Sequence, residues 1–504
     1  MNTSRLLISA VAPFALLVFL VGCEPPKPPA DGSEAIVPGS PALKPGDTIQ
    51  KVGETDTRQY SDLRNQTSLD DGEDPVPPTS SRISADTIDT AAIQAAGAAD
   101  ATGPLAEIVT LVDSLGGRFT FDRDGTLRGI DIMESRTSAD DAAVVKILDT
   151  LSLRSLKLSG LGITPKSLKL LADQQDLEEL MLKDTQVTDD DLVMIAKLPK
   201  LSTLLLERCS KLTDAAIAPL VDAPNLSRLH LIDNTFSGDI MPTLVKIQGL
   251  VLLDLRKCGQ IDAPALQTLP QFDSVTALRL AGGRIGDDVM PPVAGMPSLR
   301  SLTIEDAGPL TAEGIAKLAD LPLVDISLRN CSMLTDDALA ELAKIKTLRA
   351  LMLRDGYFMK EGFDQLAGHP ALETVRIHQM TIFDEAAQWL TTLPKAQRID
   401  LCGTLITGET LEKLAAVGTL EHLYLDDGGL SDDDIARLAG AKMLKTLSLG
   451  KSDTGAANTS VTDMAVETLG ALKSLTTLDL SGTSIGEDGA ARLREALPGC
   501  KITK

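Results

Sequence analysis

The chain has 504 residues, 43% of them apolar but only 3% aromatic, with 48 Lys and Arg against 71 Asp and Glu and a net charge of −23. That balance excludes general nucleic-acid binding, which needs a basic surface to displace phosphate counterions. So few aromatics imply an aliphatic core and argue against sugar stacking as a binding mode.

Residues 1–22 read as a secretory signal: Arg5, an apolar run from Leu6 to Val21, then small Gly22 before Cys23. The run Leu20-Val21-Gly22-Cys23 resembles the bacterial lipobox. That resemblance implies cleavage before Cys23 and acyl chains on its sulfur and amine, a stable membrane anchor. Glu24, where Asp is absent, then favours the outer membrane. An ordinary signal or an uncleaved anchor is the alternative. Residues 23–103 follow as the lipidated Cys23 and a linker rich in Pro, Ser and Asp, too poor in large apolar residues to offset its ordering entropy. Its flexible span is roughly 50 Å, and Ala-rich residues 85–100 could add a weak helix.

Residues 104–126 read as an N-terminal cap, with an amphipathic helix from Pro104 to Leu115 and a hairpin turning at Asp124-Gly125. From Leu127 to the end, including a C-terminal cap around Gly489–Leu497, the chain repeats L-x-x-L-x-L-x-x-(T/N/C/G)-x-(I/L)-(T/S)-D every 24 or 25 residues, about fifteen times. In one unit, Ile326 and Leu328 alternate as a strand requires, Cys331 and Leu334 turn the chain, Thr335 or Asp336 caps a helix, and Leu339, Leu342 and Ile345 return to the core. Stacked units place strands on a concave side and helices on a convex one, an arc of roughly 65–70 Å. Acids at helix starts, such as Asp189–Asp191 and Asp432–Asp434, oppose the helix dipole.

The strings Val187-Thr188-Asp189, Leu212-Thr213-Asp214 and Leu334-Thr335-Asp336 resemble the cysteine-containing leucine-rich-repeat subtype of F-box receptors, ribonuclease-inhibitor-like solenoids and bacterial lipoproteins. The resemblance implies an α/β solenoid that recognises proteins on its concave face. There is no F-box-like segment.

Position seven of successive units reads Glu305, Arg329, Arg354, His378, Cys402, Asp426; position five reads Met352, Arg376, Asp400, Tyr424; position three adds Arg398 and His422. His230 also falls on the concave side. One interpretation is a Cys402–His378 nucleophile and base, but Asp426 lies on the wrong side to orient the imidazole and no oxyanion hole is evident. Neither a zinc spacing nor a histidine pair suits a metal, since His378 and His422 are two units apart. No cofactor is expected. A second interpretation is a basic binding patch of Arg329, Arg354, Arg376, His378, Arg398, Asp400, His422 and Tyr424, with Arg376 pairing Asp400, that docks an acidic protein segment, the favoured occupant, or an anionic glycan. A solvated, self-neutralised face and a self-associating envelope component are the alternatives. Cys209, Cys258 and Cys331 read as buried turn thiols, too far apart for disulfides. The insertion Lys451–Ser460 projects near one rim; Gly450-Lys451-Ser452 lacks the earlier glycine of a phosphate loop, and Asp122–Gly125 lacks the acids of a calcium loop.

Overall fold

Each unit is too short to bury its own apolar side chains, so the leucine column of one must close against the next. The computed structural model describes residues 83–98, 101–133, 138–451 and 457–504. By its internal contacts the chain divides into Met1–Pro78 and Thr79–Lys504, and every described residue belongs to the second unit. The signal at 1–22, Cys23 and most of the 23–103 linker lie outside the described residues, as does part of the 451–460 insertion. No described helix is long and apolar enough to cross a membrane.

The fold is an α/β leucine-rich-repeat solenoid. Seventeen strands form its sheet. Apart from an antiparallel first pair, each is parallel to its chain neighbour and in register with it, as Ile304, Leu328, Leu353 and Ile377 show. Parallel strands lie about 4.8 Å apart whereas packed helices need about 8–10 Å, so the strands take the concave side. In the unit singled out above, Leu323, Ile326, Leu328, Cys331, Leu334, Leu339, Leu342 and Ile345 are all buried.

The helical side departs from the expected regular α-helices. Asp214–Asp222 is a 3-10 helix with Pro219 inside it, and short 3-10 turns recur at Lys169–Asp173 and Leu269–Gln271. Proline removes the backbone donor a longer α-helix needs. The core also departs from purely aliphatic packing: Phe236 and Phe272 are buried in it, and Phe363 stacks on Trp389 (5.9 Å between centroids) and meets Phe358 edge-on.

Position eight of the unit carries the strand-to-turn reversal. Asp184, Asp233, Asp306, Asn330, Asp355 and Asp427 sit there at φ between 50° and 58°. Asp and Asn tolerate this left-handed region best after Gly. At position nine, buried Cys209, Cys258 and Cys331 donate to carbonyls of the preceding unit, and Asn234 does the same through Nδ2. Burial pushes these thiols up, to about 12 at Cys258 and about 11 at Cys331. All three are free cysteines.

The acids at helix starts do more than oppose a dipole. Asp189 accepts from the backbone N–H and the hydroxyl of Thr213, one unit on, at 2.9 and 2.5 Å. The same pair of bonds joins Asp141 to Thr164, Asp287 to Thr311, Asp384 to Thr407 and Asp432 to Thr462. Each staples one helix cap to the next, so much of the negative charge is structural.

At the N-terminal end, Pro104–Ser114 packs Ile108 and Val112 inward, and Arg118–Phe121 pairs with Leu127–Asp131 around Gly125 at φ 86°. The fold begins earlier than Pro104: Ile83–Ser84 runs parallel to Leu151–Ser152, and Asp89 caps the helix Thr90–Ala96. The last strand, Lys501–Thr503, follows the helix Glu487–Ala496 and pairs with Thr477–Asp479.

Candidate functional site

Side chains at positions three, five and seven leave the sheet on the strand-lined side, and register sets each beside its counterpart one unit on. The columns read from sequence are real neighbours: Glu305, Arg329, Arg354 and His378 adjoin in turn, as do Met352, Arg376, Asp400 and Tyr424, and Arg398 adjoins His422.

A chain of alternating charge enters this face from the middle of the molecule, which the sequence did not reveal. Asp254 is fully buried and accepts from His230 Nδ1 at 3.0 Å and from Arg256 through both oxygens at 2.9 Å. Burial raises its carboxyl, but the His230 and Arg256 bonds outweigh that and hold it far below the usual carboxylate range. Burial keeps His230 below its ordinary value despite Asp254. Arg256 continues to Glu305 (3.1 Å), and Glu305 to Arg329 (3.2 Å).

Beyond Arg329 the alternation stops. Arg354 adjoins Arg329 in register and turns to Asp355 at 3.2 Å. Arg376 does not pair with Asp400 as expected; among the described residues it forms no ion pair, because Asp400 faces His378 and Arg398 instead. Arg398 lies over the Tyr424 ring at 4.0 Å, a favourable cation–π distance. His422 Nδ1 lies 3.0 Å from Thr446 Oγ1. Four atoms here are buried without a hydrogen-bond partner among the described residues: Ser327 Oγ, Arg329 Nε, Arg376 Nε and Arg398 Nε.

The Cys402–His378 nucleophile is contradicted by geometry. Asp400, not Cys402, meets the imidazole: His378 Nε2 is 2.9 Å from Asp400 Oδ1, and the Cys402 thiol donates to that same oxygen at 2.8 Å. Burial and the charges of Asp400 and Asp426 push the thiol far above its ordinary value, the opposite of an activated thiolate. Burial raises Asp400 as well, but the nearby imidazole of His378 and the Cys402 thiol outweigh it and hold the carboxyl below the usual carboxylate range. The argument against a metal compared two histidines and passed over Asp400, which brings His378 and Cys402 into one cluster with all three donor atoms within 4.8 Å.

Exposed apolar side chains border this part of the face on the strand-to-helix loops: Met333, Tyr357, Met359, Phe383 and Leu405. A cavity of about 650 Å³ lies elsewhere, between Gly408–Ala415 and Arg437–Gly440 on the helical side, lined by Leu414, Val417, Leu438 and Leu444.

No family model matches the chain, and no curated protein matches it. Among solved structures it is similar to an internalin from Listeria monocytogenes, at 20% identity over 80% of this chain and 94% of that one, with a TM-score of 0.36. It is similar to the Rad7–Elc1 complex of yeast at 17% identity, over 67% and 74%, with a TM-score of 0.40. A leucine-rich-repeat protein from Leptospira interrogans gives 20% identity, over 73% and 93%, and a TM-score of 0.33. Likenesses this distant carry no functional inference, and the solenoid assignment rests on the chain's own repeat and strand register.

Proposed function

We propose that this chain is a non-catalytic recognition protein, held at a cell-envelope membrane by acyl chains on Cys23 and favouring the outer membrane, that docks an acidic segment of a protein partner on its strand-lined face between Asp325 and Tyr424. The observation that carries the proposal is the in-register adjacency of Arg329 and Arg354, with Arg376 on the next strand forming no ion pair among the described residues. Carboxylates are the acceptors guanidinium donors fit best, since both partners are ionised and the fork can bond twice. Tyr424, under Arg398, adds apolar contact, and Arg and Tyr are the residue types that dominate interface energy.

The test is capture from an envelope extract on immobilised protein, with the bound partner identified by mass spectrometry and its affinity measured. The triple variant Arg329→Glu, Arg354→Glu, Arg376→Glu should weaken capture by about a hundredfold or more. Lys157→Glu with Lys183→Glu, on the early strands, should leave it unchanged. Equal capture by the triple variant and the parent would overturn the proposal.

A further inference from the structure

Three different donor chemistries converge on the strand-lined face. His378 ends the strand Thr374–His378, Asp400 ends Arg398–Asp400, and Cys402 opens the turn two residues later, beside His378. Asp400 Oδ1 lies 2.9 Å from His378 Nε2 and 2.8 Å from Cys402 Sγ. The imidazole nitrogen, though this close, is not aligned to hydrogen-bond and is sealed from water. Asp426 stands outside this group of three, with its Oδ2 3.7 Å from Cys402 Sγ. Its other oxygen is held by the Gly450 N–H at 2.6 Å and by the Ser448 hydroxyl, which aims Oδ2 at the sulfur.

We propose that His378 Nε2, Asp400 and Cys402 Sγ bind one divalent transition-metal ion of the zinc class, with a fourth position left to water. Nitrogen, sulfur and carboxylate donors together suit Zn²⁺, whereas Ca²⁺ and Mg²⁺ take oxygen alone. Metal–ligand bonds of about 2.0–2.3 Å set tetrahedral donors roughly 3.3–3.7 Å apart. The two contacts of Asp400, at 2.9 and 2.8 Å, need to open by less than about 1 Å. Binding exchanges the Cys402 S–H bond for a sulfur–metal bond and releases one proton. One carboxylate and the thiolate then neutralise the dication, while Asp426 beside the sulfur balances Arg398, 3.5 Å from Asp400 Oδ2. Asp426, against Cys402, and Arg398, against Asp400, act as the outer contacts that fix ligand orientation. The site does not depend on what docks against the face.

The experiment uses the full chain, stripped with chelator and titrated with Co²⁺. One equivalent should bind, with tetrahedral d–d bands and a thiolate-to-cobalt charge-transfer band that Zn²⁺ erases. Cys402→Ser should abolish the charge-transfer band, and His378→Gln or Asp400→Asn should weaken binding about tenfold or more; Cys500→Ser should change nothing. Circular dichroism checks that the variants fold. Zinc-edge X-ray absorption on the unmutated, zinc-loaded chain should show a sulfur neighbour at about 2.3 Å. A parent protein without the thiolate band, a band that survives in Cys402→Ser, or a zinc environment without sulfur would each overturn the proposal.

Discussion

Between Ser155 and Glu207 the strand-lined face carries charge that is answered locally. Lys157 faces Glu179, Lys183 faces Glu207, Arg208 forks onto Asp184, and Ser155 donates to Glu179. Between Ser327 and Arg398 the same columns of the same sheet hold cations beside cations and polar atoms with no partner. Backbone geometry does not separate the two stretches, since register is continuous through both. The difference lies in which side chains the repeat positions carry. A repeat protein can therefore confine an interaction site to a few units without altering its scaffold, because each unit contacts only its neighbours.

Asp254 stands at the boundary between the stretches, and removing it offers the largest test of the contrast. Asp254→Ala leaves Arg256 and His230 facing a buried void, and should cost about 3–5 kcal/mol of stability. Asp254→Asn, which keeps an acceptor oxygen, should cost less. Denaturant unfolding followed by circular dichroism checks both. If Asp254→Ala proved neutral, the early face would not depend on its charge pairing, and the distinction from the late face would fail.

How far this contrast was legible depends on the distance over which residues speak to one another. The repeat period alone placed Arg329, Arg354 and His378 in one column, because in-register parallel strands make same-position residues neighbours. The hub at Asp254 was missed because Arg256 lies past the strand end and folds back only through the turn. Asp400 was missed as the shared partner of His378 and Cys402 for a related reason. It belongs to position five and they to position seven, so the contact is diagonal, and column-by-column comparison does not see it. The Asp–Thr staples were hidden differently. Asp189 and Thr213 were both noted, but each was assigned to its own helix rather than to the other.

A smaller effect separates the stretches by pH. His230, enclosed by Asp254, Arg256 and Arg279, is held below its ordinary value chiefly by burial, so the unfolded chain takes up the proton first. Stability is then full above the unfolded histidine value, near pH 6.5, and falls as the pH drops below it, by at most about 1.4 kcal/mol per pH unit for one site. Asp254, held low, keeps its charge until well below the ordinary carboxylate value, so it adds no slope in this window. His369 is also lowered, chiefly by burial, and adds a slope of its own. His230→Asn should remove one contribution and leave the other, read as the change in unfolding midpoint from about pH 7 to about pH 5.5. An unchanged slope would show that the early face does not bury its histidine as a neutral group.

The smallest expected effect compares the staples. Asp189, among the early units, receives both the N–H and the hydroxyl of Thr213, whereas Asp336, among the late ones, receives only the Met359 N–H, at 2.7 Å, because methionine occupies the cap position. Asp189→Ala should therefore cost about 1–2 kcal/mol, and Asp336→Ala about half of that. The reverse change is the more telling one. Met359 is 66% exposed, so Met359→Thr gives up little buried surface and supplies the missing hydroxyl to Asp336. It should gain about 0.5–1 kcal/mol, and native-state hydrogen exchange should report the gain around residues 336–363 before any global change is seen. If Met359→Thr also weakened partner capture while stabilising the fold, that exposed methionine would belong to the binding edge, and the late units would have exchanged a staple for a contact.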